Sequence, residues 1–323
     1  FPAHCNSAKL MNCYIVKLAS VTAADQQGYA GGFVGVSRTG GLADLANKDG
    51  NLEVGGSLIS VENLLGTIDY MIPTYTKCTV TYTDGGYVQA DVAGGFAGDF
   101  QSGKVNNQSR GEGNYYAVYN IDHVDGQTYA GGFGGKVYSG ALADAGGGIS
   151  ILGGSGLRIS LTDLLNVIEA YVPYVSYAGV YSENGFTVTA TELGENDVYA
   201  GSAGGFIGYA SGAQISTCDV TYLKHTKVTP PDDLEAVNAP SYFDNNSAYA
   251  VTGGRYAGGF IGCMDIGSAA SLGDGLSVLG DLLDLGNLLS ALNVVVTTIE
   301  HSDVTGGPGG YSVLATANAD FSA

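Results

Sequence analysis

Apolar and polar residues alternate along several short stretches of the chain. Cys78-Thr79-Val80-Thr81-Tyr82 and Tyr87-Val88-Gln89-Ala90 put β-branched or aromatic residues at every second position. Gly179-Val180-Tyr181 and Phe186-Thr187-Val188-Thr189-Ala190 repeat the pattern further on. Bounded by Gly, Asn and Asp, this period of two predicts strands. A helical period interrupts them twice. Leu64, Leu65, Ile68 and Ile72 form one apolar stripe, and Leu164, Leu165, Ile168 and Val172 form its counterpart. The spacing predicts short helices over 60–73 and 160–173, each stopped by a proline (Pro73, Pro173). Ser160 with Asp163 resembles a capping box. A more divergent third helix is expected from Leu282 to Asn293.

Self-similarity at longer range decides the architecture. The string Gly-Gly-Phe-x-Gly occurs as Gly31-Gly32-Phe33-Val34-Gly35, Gly94-Gly95-Phe96-Ala97-Gly98 and Gly131-Gly132-Phe133-Gly134-Gly135. It recurs as Gly204-Gly205-Phe206-Ile207-Gly208 and Gly258-Gly259-Phe260-Ile261-Gly262. An alanine precedes every copy, and a further glycine follows each (Gly40, Gly103, Gly140, Gly212, Gly267). Units between copies are long and short in alternation, and the long ones carry the helices. Glycine at a fixed place serves a corner, either by adopting positive φ or by letting stacked backbones approach closely. The phenylalanine is expected to point inward and stack on its equivalents. A phosphate cradle would need a strand, a Gly-rich turn, a long helix and a Lys, and no copy supplies them.

These patterns predict a mainly β fold. It is a β-solenoid-like (parallel β-helix) array of Gly-Gly-Phe-x-Gly coils, with short helical insertions in the long coils. The array is single and continuous, with coils near 1–30, 31–93, 94–130, 131–203, 204–257 and 258–323. The start, Phe1-Pro2-Ala3, has no initiator Met, so the expectation is a processed or truncated piece of a longer chain or filament.

Composition narrows the partners. The 323 residues include 52 glycines, 31 acidic and 12 basic residues, for a net charge of −19. An apolar content of 45% permits a core and argues against a disordered acidic chain. Glycine follows no G-X-Y period, which excludes collagen. Twelve scattered cations do not match a phosphate backbone or an anionic membrane. No apolar run has the ~18–20 residues of a membrane span. The acidic residues are expected on a soluble, mutually repelling surface.

Candidate chemistry is sparse. His4, His123, His225 and His301 lack ligand spacing and read as isolated surface histidines. Asp232, Asp233 and Glu235 follow Pro230-Pro231. Paired carboxylates serve glycosidases or calcium sites, but adjacent ones on a Pro-rich loop read as solvated charge. Neither a catalytic residue, a cofactor site nor a metal site is expected. Five cysteines leave at least one thiol outside any internal pairing. Cys13 and Cys78 occupy similar positions in consecutive units, so two alternatives stand: a disulfide, or two small buried side chains. The 22 tyrosines suit either binding or ordinary cross-strand packing, the latter being the expectation.

Over Gly204-Gly205-Phe206-Ile207-Gly208-Tyr209-Ala210-Ser211-Gly212-Ala213-Gln214-Ile215-Ser216-Thr217-Cys218-Asp219-Val220, the sequence resembles the GLUG-motif repeats of bacterial surface proteins. Lys104-Val105-Asn106-Asn107 matches less fully, with Gln108 where Cys is expected. The resemblance implies a secreted or cell-surface repeat array, and it brings no catalytic residues. The expected role is that of an extracellular structural or adhesive repeat protein, a filament subunit or surface stalk. It would associate head to tail with its own kind or continue in the same polypeptide, and it would meet a host or polysaccharide surface. The alternative is a polysaccharide-binding or polysaccharide-cleaving β-solenoid, which requires a groove with carboxylates and tyrosines on one face. A weaker third reading, an ice-binding solenoid, lacks a regular Thr-x-Thr column.

Overall fold

The computed structural model describes residues 2–24, 28–39, 53–54, 57–58, 69–108, 115–139, 169, 171–223, 249–265, 296–307 and 310–316. The described chain is mainly β, in three parallel sheets and a two-stranded antiparallel pair, Glu53–Val54 with Ser57–Leu58. The first contains His4–Asn6, Val34–Arg38, Ala97–Phe100, Gly134–Tyr138, Ile207–Ser211 and Ile261–Asp265, in that order. The second contains Lys9–Met11, Thr74–Thr76, Lys104–Asn106, Tyr174–Ser176, Gln214–Ser216 and Thr298–Glu300. The third has twelve strands, the longest being Thr79–Gly94. The chain visits the sheets in a fixed order, first, second, third, and then returns to the first. Each strand therefore lies beside its equivalents from the preceding and following circuits.

Helix is confined, among the described residues, to 69–71 and to residues 169 and 171. These are the last turns of the two helices predicted before Pro73 and Pro173, and Ile72, Tyr171 and Val172 at their ends are buried. The remainder of both stretches, and all of Leu282 to Asn293, lies outside the described residues.

In-register stacking turns the repeat into columns of like side chains. Val21, Val88, Val124, Val188, Val251 and Val313 pair in succession through the third sheet. Ile15, Val80, Val118, Val180, Val220 and Val304 form a second column. Leu10, Tyr75, Val105, Val175, Ile215 and Ile299 form a third, in the second sheet. β-Branched residues suit this pleated environment because each packs on its equivalents above and below. The phenylalanines of the repeated motif add an aromatic column. Phe33, Phe96, Phe133, Phe206 and Phe260 stack with ring centroids 4.8, 5.1, 4.9 and 4.9 Å apart. Phe33, Phe96, Phe133 and Phe206 are essentially inaccessible to solvent.

The glycine corner exists to allow that stacking. Its backbone is itself hydrogen-bonded along the stack: the amide of Phe96 donates to the carbonyl of Phe133, and that of Phe133 to the carbonyl of Phe206, both at 2.8 Å. A Cβ on Gly94 would fall on the carbonyl oxygen of Ala97, within the same corner. A Cβ on Gly95 would fall on the carbonyl oxygen of Gly132 in the next circuit. None of the motif glycines has positive φ. Of the two reasons for glycine weighed from the sequence, space is the operative one.

Positive φ appears at the other corners, between the first and second sheets at Ser7, Gly103 and Gly212, and more regularly at the next one. Between the second and third sheets Asn12, Lys77, Tyr177, Thr217 and His301 all have φ between 50° and 54°. The third circuit departs from this. There Asn107 accepts from the amide of Cys78 at 2.9 Å through Oδ1 and donates to the carbonyl of Cys78 at 3.0 Å through Nδ2. Its amide side chain thus takes both backbone groups of the neighbouring corner.

The space requirement separates two glycine substitutions. Gly95→Ala is expected to lower unfolding stability by about 3 kcal/mol or more, because two hydrogen-bonded circuits must part. Gly85→Ala, at φ +71° with nothing within 4 Å of its added methyl, is expected to cost only the left-handed backbone penalty of about 1–2 kcal/mol. Urea unfolding of the two variants beside the wild type measures both. Equal losses would refute the close-approach account.

Candidate binding groove

The sharp glycine corner has an outer side as well as an inner one. In the first sheet Val137 and Ala210 point into the core, so their neighbours Lys136 and Tyr209 point out. Val36, Asp99, Lys136, Tyr209 and Cys263 stand in register as one outer row. The last strands of the third sheet contribute a second row: Tyr29, Val92, Tyr129, Ser202 and Tyr256. The two rows converge. Val92 and Tyr129 pack with Tyr209 and Ala200 in a small cluster outside the main core, against which Tyr138, Tyr199 and Cys263 also pack.

Polar groups organise this groove. The hydroxyl of Tyr129 donates to Asp197 Oδ2 at 2.6 Å, and that of Tyr199 to Asp265 Oδ2 at 2.5 Å. The amide of Tyr199 donates to Asp197 Oδ1 at 3.0 Å. Residues 197–199 are thereby fastened across the rows. The ammonium of Lys136 lies over three rings, 4.5 Å from the centroid of Tyr129, 5.0 Å from Tyr138 and 5.6 Å from Tyr209. This is a cation held on aromatic faces. Asp99 is 1% exposed and accepts from Gln101 Nε2 at 2.8 Å through Oδ2.

The environment shifts the titration of these groups. Burial pushes the Asp99 carboxyl up from 3.8 to about 6, opposed by the Gln101 hydrogen bond and the Lys136 charge. Burial, then the hydrogen bond to Asp197, raises Tyr129. The hydrogen bond to Asp265 pushes Tyr199 up to about 12. Burial, followed by the charge of Asp99, raises Tyr138. The tyrosines of the groove remain neutral donors at physiological pH, and Asp99 is mostly ionised there.

Other chemical groups singled out from the sequence do not gather here. His4 and His301 are exposed. His123 Nδ1 lies 2.9 Å from Asp122 Oδ2, and its ring stacks on Tyr87 at 4.8 Å. His225, Asp232, Asp233 and Glu235 lie outside the described residues. Among the described residues, no group of three His, Cys, Asp or Glu side chains is placed to hold a metal ion.

The structure does bring Cys13 and Cys78 onto adjacent circuits, the amide of Thr79 donating to the carbonyl of Cys13 at 3.1 Å. Both are free thiols here. The Cys78 thiol instead donates to the carbonyls of Leu10 and Thr76, and burial pushes it up to about 11.

A groove of carboxylates and tyrosines on one face is what the polysaccharide-binding alternative requires, but its residues come from different circuits and no spacing in the sequence assigns them. The tyrosine excess is its trace in the sequence. Comparison with known proteins identifies no relative: no protein-family model, curated protein or solved structure matches the chain.

The Asp99 shift makes a pH prediction. Its folded pKa is raised, so between about pH 4 and 6 the folded chain holds a proton that the unfolded chain has lost. The contribution to stability is therefore present below about pH 4 and lost as pH rises through about 6. A shift of this size corresponds to about 3 kcal/mol. Asp99→Asn removes this term, so its stability relative to wild type is expected to rise by up to about 3 kcal/mol between pH 4 and pH 7. Paired urea titrations at the two pH values measure it, and an unchanged difference contradicts it.

Proposed function

We propose that the chain is a β-solenoid serving as an extracellular structural or adhesive repeat section, a filament subunit or surface stalk without a catalytic role. The observation that carries this reading is the run of like-on-like columns, valine on valine and phenylalanine on phenylalanine, through successive circuits. The repeated residues are used for stacking, and no described cluster of them is arranged for bond chemistry. The resemblance of 204–220 to GLUG-motif repeats supports the same role and a cell-surface or extracellular location. The short supply of Lys and Arg fits a surface that stays soluble by mutual repulsion.

Head-to-tail association is part of this proposal. Among the described residues, His4–Asn6 and Lys9–Met11 pair on one side only, as do Ile261–Asp265 and Thr298–Glu300 at the opposite end of the same sheets. Unpaired parallel edges can receive a further strand in register. The acidic charge opposes such contact, and salt screens it.

Negative-stain electron microscopy with sedimentation velocity tests the proposal. The expected result is unbranched fibres that lengthen with protein concentration and with salt between 0.05 and 0.5 M, roughly a threefold fall in Debye length. Monodisperse monomers throughout that range would overturn the filament form of the proposal.

A further inference from the structure

The groove holds two unused polar groups side by side. Asp99 Oδ1 is buried and has no hydrogen-bond partner. A buried carboxylate oxygen without a donor is costly, and its persistence calls for an explanation. Asp99 and Lys136 are register neighbours on adjacent strands of the first sheet. Lys136 nevertheless makes no hydrogen bond or ion pair, and its ammonium rests on the tyrosine rings. An acceptor and a donor thus stand one strand apart without satisfying each other, walled by aromatic faces. Tyr29, at the mouth beside Asp99, is 46% exposed.

The chemistry of a matching ligand follows from this pair. An anion would suit Lys136 but would meet Asp99 and a chain of net charge −19. A cation would suit Asp99 but would face the Lys136 ammonium. A neutral polyhydroxyl compound satisfies both, because one hydroxyl donates to the carboxylate while its neighbour accepts from the ammonium. The apolar face of a sugar ring can also lie against Tyr29 and Tyr138, which are partly exposed beside Asp99, whereas Tyr129 and Tyr209 are buried.

We propose that this groove is a binding subsite for a neutral sugar residue of a polysaccharide, with adjacent hydroxyls bridging Asp99 Oδ1 and Lys136 Nζ beside the partly exposed Tyr29 and Tyr138. Entry requires Lys136 and Tyr29 to swing aside, which their rotatable and partly exposed side chains permit. The site gives the proposed surface role a ligand class, but it does not rest on that role. It needs only the outer rows of the first and third sheets, and it stands whether or not fibres form.

Affinity electrophoresis tests the subsite, with the whole chain run through native gels containing soluble β-glucan, mannan or xylan, and polygalacturonate as an acidic comparison. Three variants accompany the wild type. Asp99→Leu fills the same volume without a polar atom, Lys136→Met keeps the stem over the rings, and Lys17→Met changes an exposed lysine on the third sheet. The expected result is retardation of the wild type by at least one neutral polymer, at least tenfold weaker binding in Asp99→Leu and Lys136→Met, and no change in Lys17→Met. Thermal melting separates binding from folding: Asp99→Leu is expected to melt at or above the wild-type temperature while losing the ligand. Three outcomes would overturn the proposal: no retardation by any neutral polymer, retardation that survives both substitutions, or preference for polygalacturonate.

Discussion

The structure depends on one distance, the spacing between hydrogen-bonded parallel strands, about 4.8 Å. Sheets keep this spacing easily, but corners do not, because a turning backbone brings Cβ atoms toward the neighbouring circuit. At Gly95 the next circuit's Gly132 carbonyl occupies the place a Cβ would take. Removing the Cβ lets the corner bond to its neighbour, and the amide-to-carbonyl chain from Phe96 to Phe133 to Phe206 then runs through the turn without a gap. With the corner in register, the phenylalanine columns, the valine columns and the outer groove rows follow from the same spacing.

This explains which parts of the fold were legible in the sequence. The glycine corner was legible because steric exclusion leaves only one residue type, so the same letters recur. The inward, stacking phenylalanine was legible for the same reason. The six-valine column from Val21 to Val313 was not, although every member is valine. Segments of different lengths separate its members, and valine is common enough that no local signal marks the register. The second corner was invisible for another reason. Its left-handed residues are Asn12, Lys77, Tyr177, Thr217 and His301, and no shared residue type marks the conformation. Here the surrounding strands impose φ on whichever residue stands there.

The groove follows a third logic. Asp99, Lys136 and Tyr209 are one strand apart in space and a whole circuit apart in sequence. Spacing motifs find sites built within a turn or a helix face, whereas a site built across circuits has no spacing to find. The tyrosines could be counted but not placed. The same stacking that makes the core uniform makes the outer face varied, since an outward position is free of the demand for likeness. Val36, Asp99, Lys136, Tyr209 and Cys263 share one row and have little chemistry in common.

The passage from the first sheet to the second shows how much variety that arrangement tolerates. Lys104 is reached from Phe100 through Gln101, Ser102 and Gly103, whereas its partner Thr74 is reached from Arg38 by a far longer excursion. Both arrive in the same register. The stack thus reads only where a segment leaves and where it rejoins. Whole segments can be exchanged, lengthened or deleted at this junction as cassettes, and recombination there can diversify what the surface displays while the scaffold keeps its address for every strand.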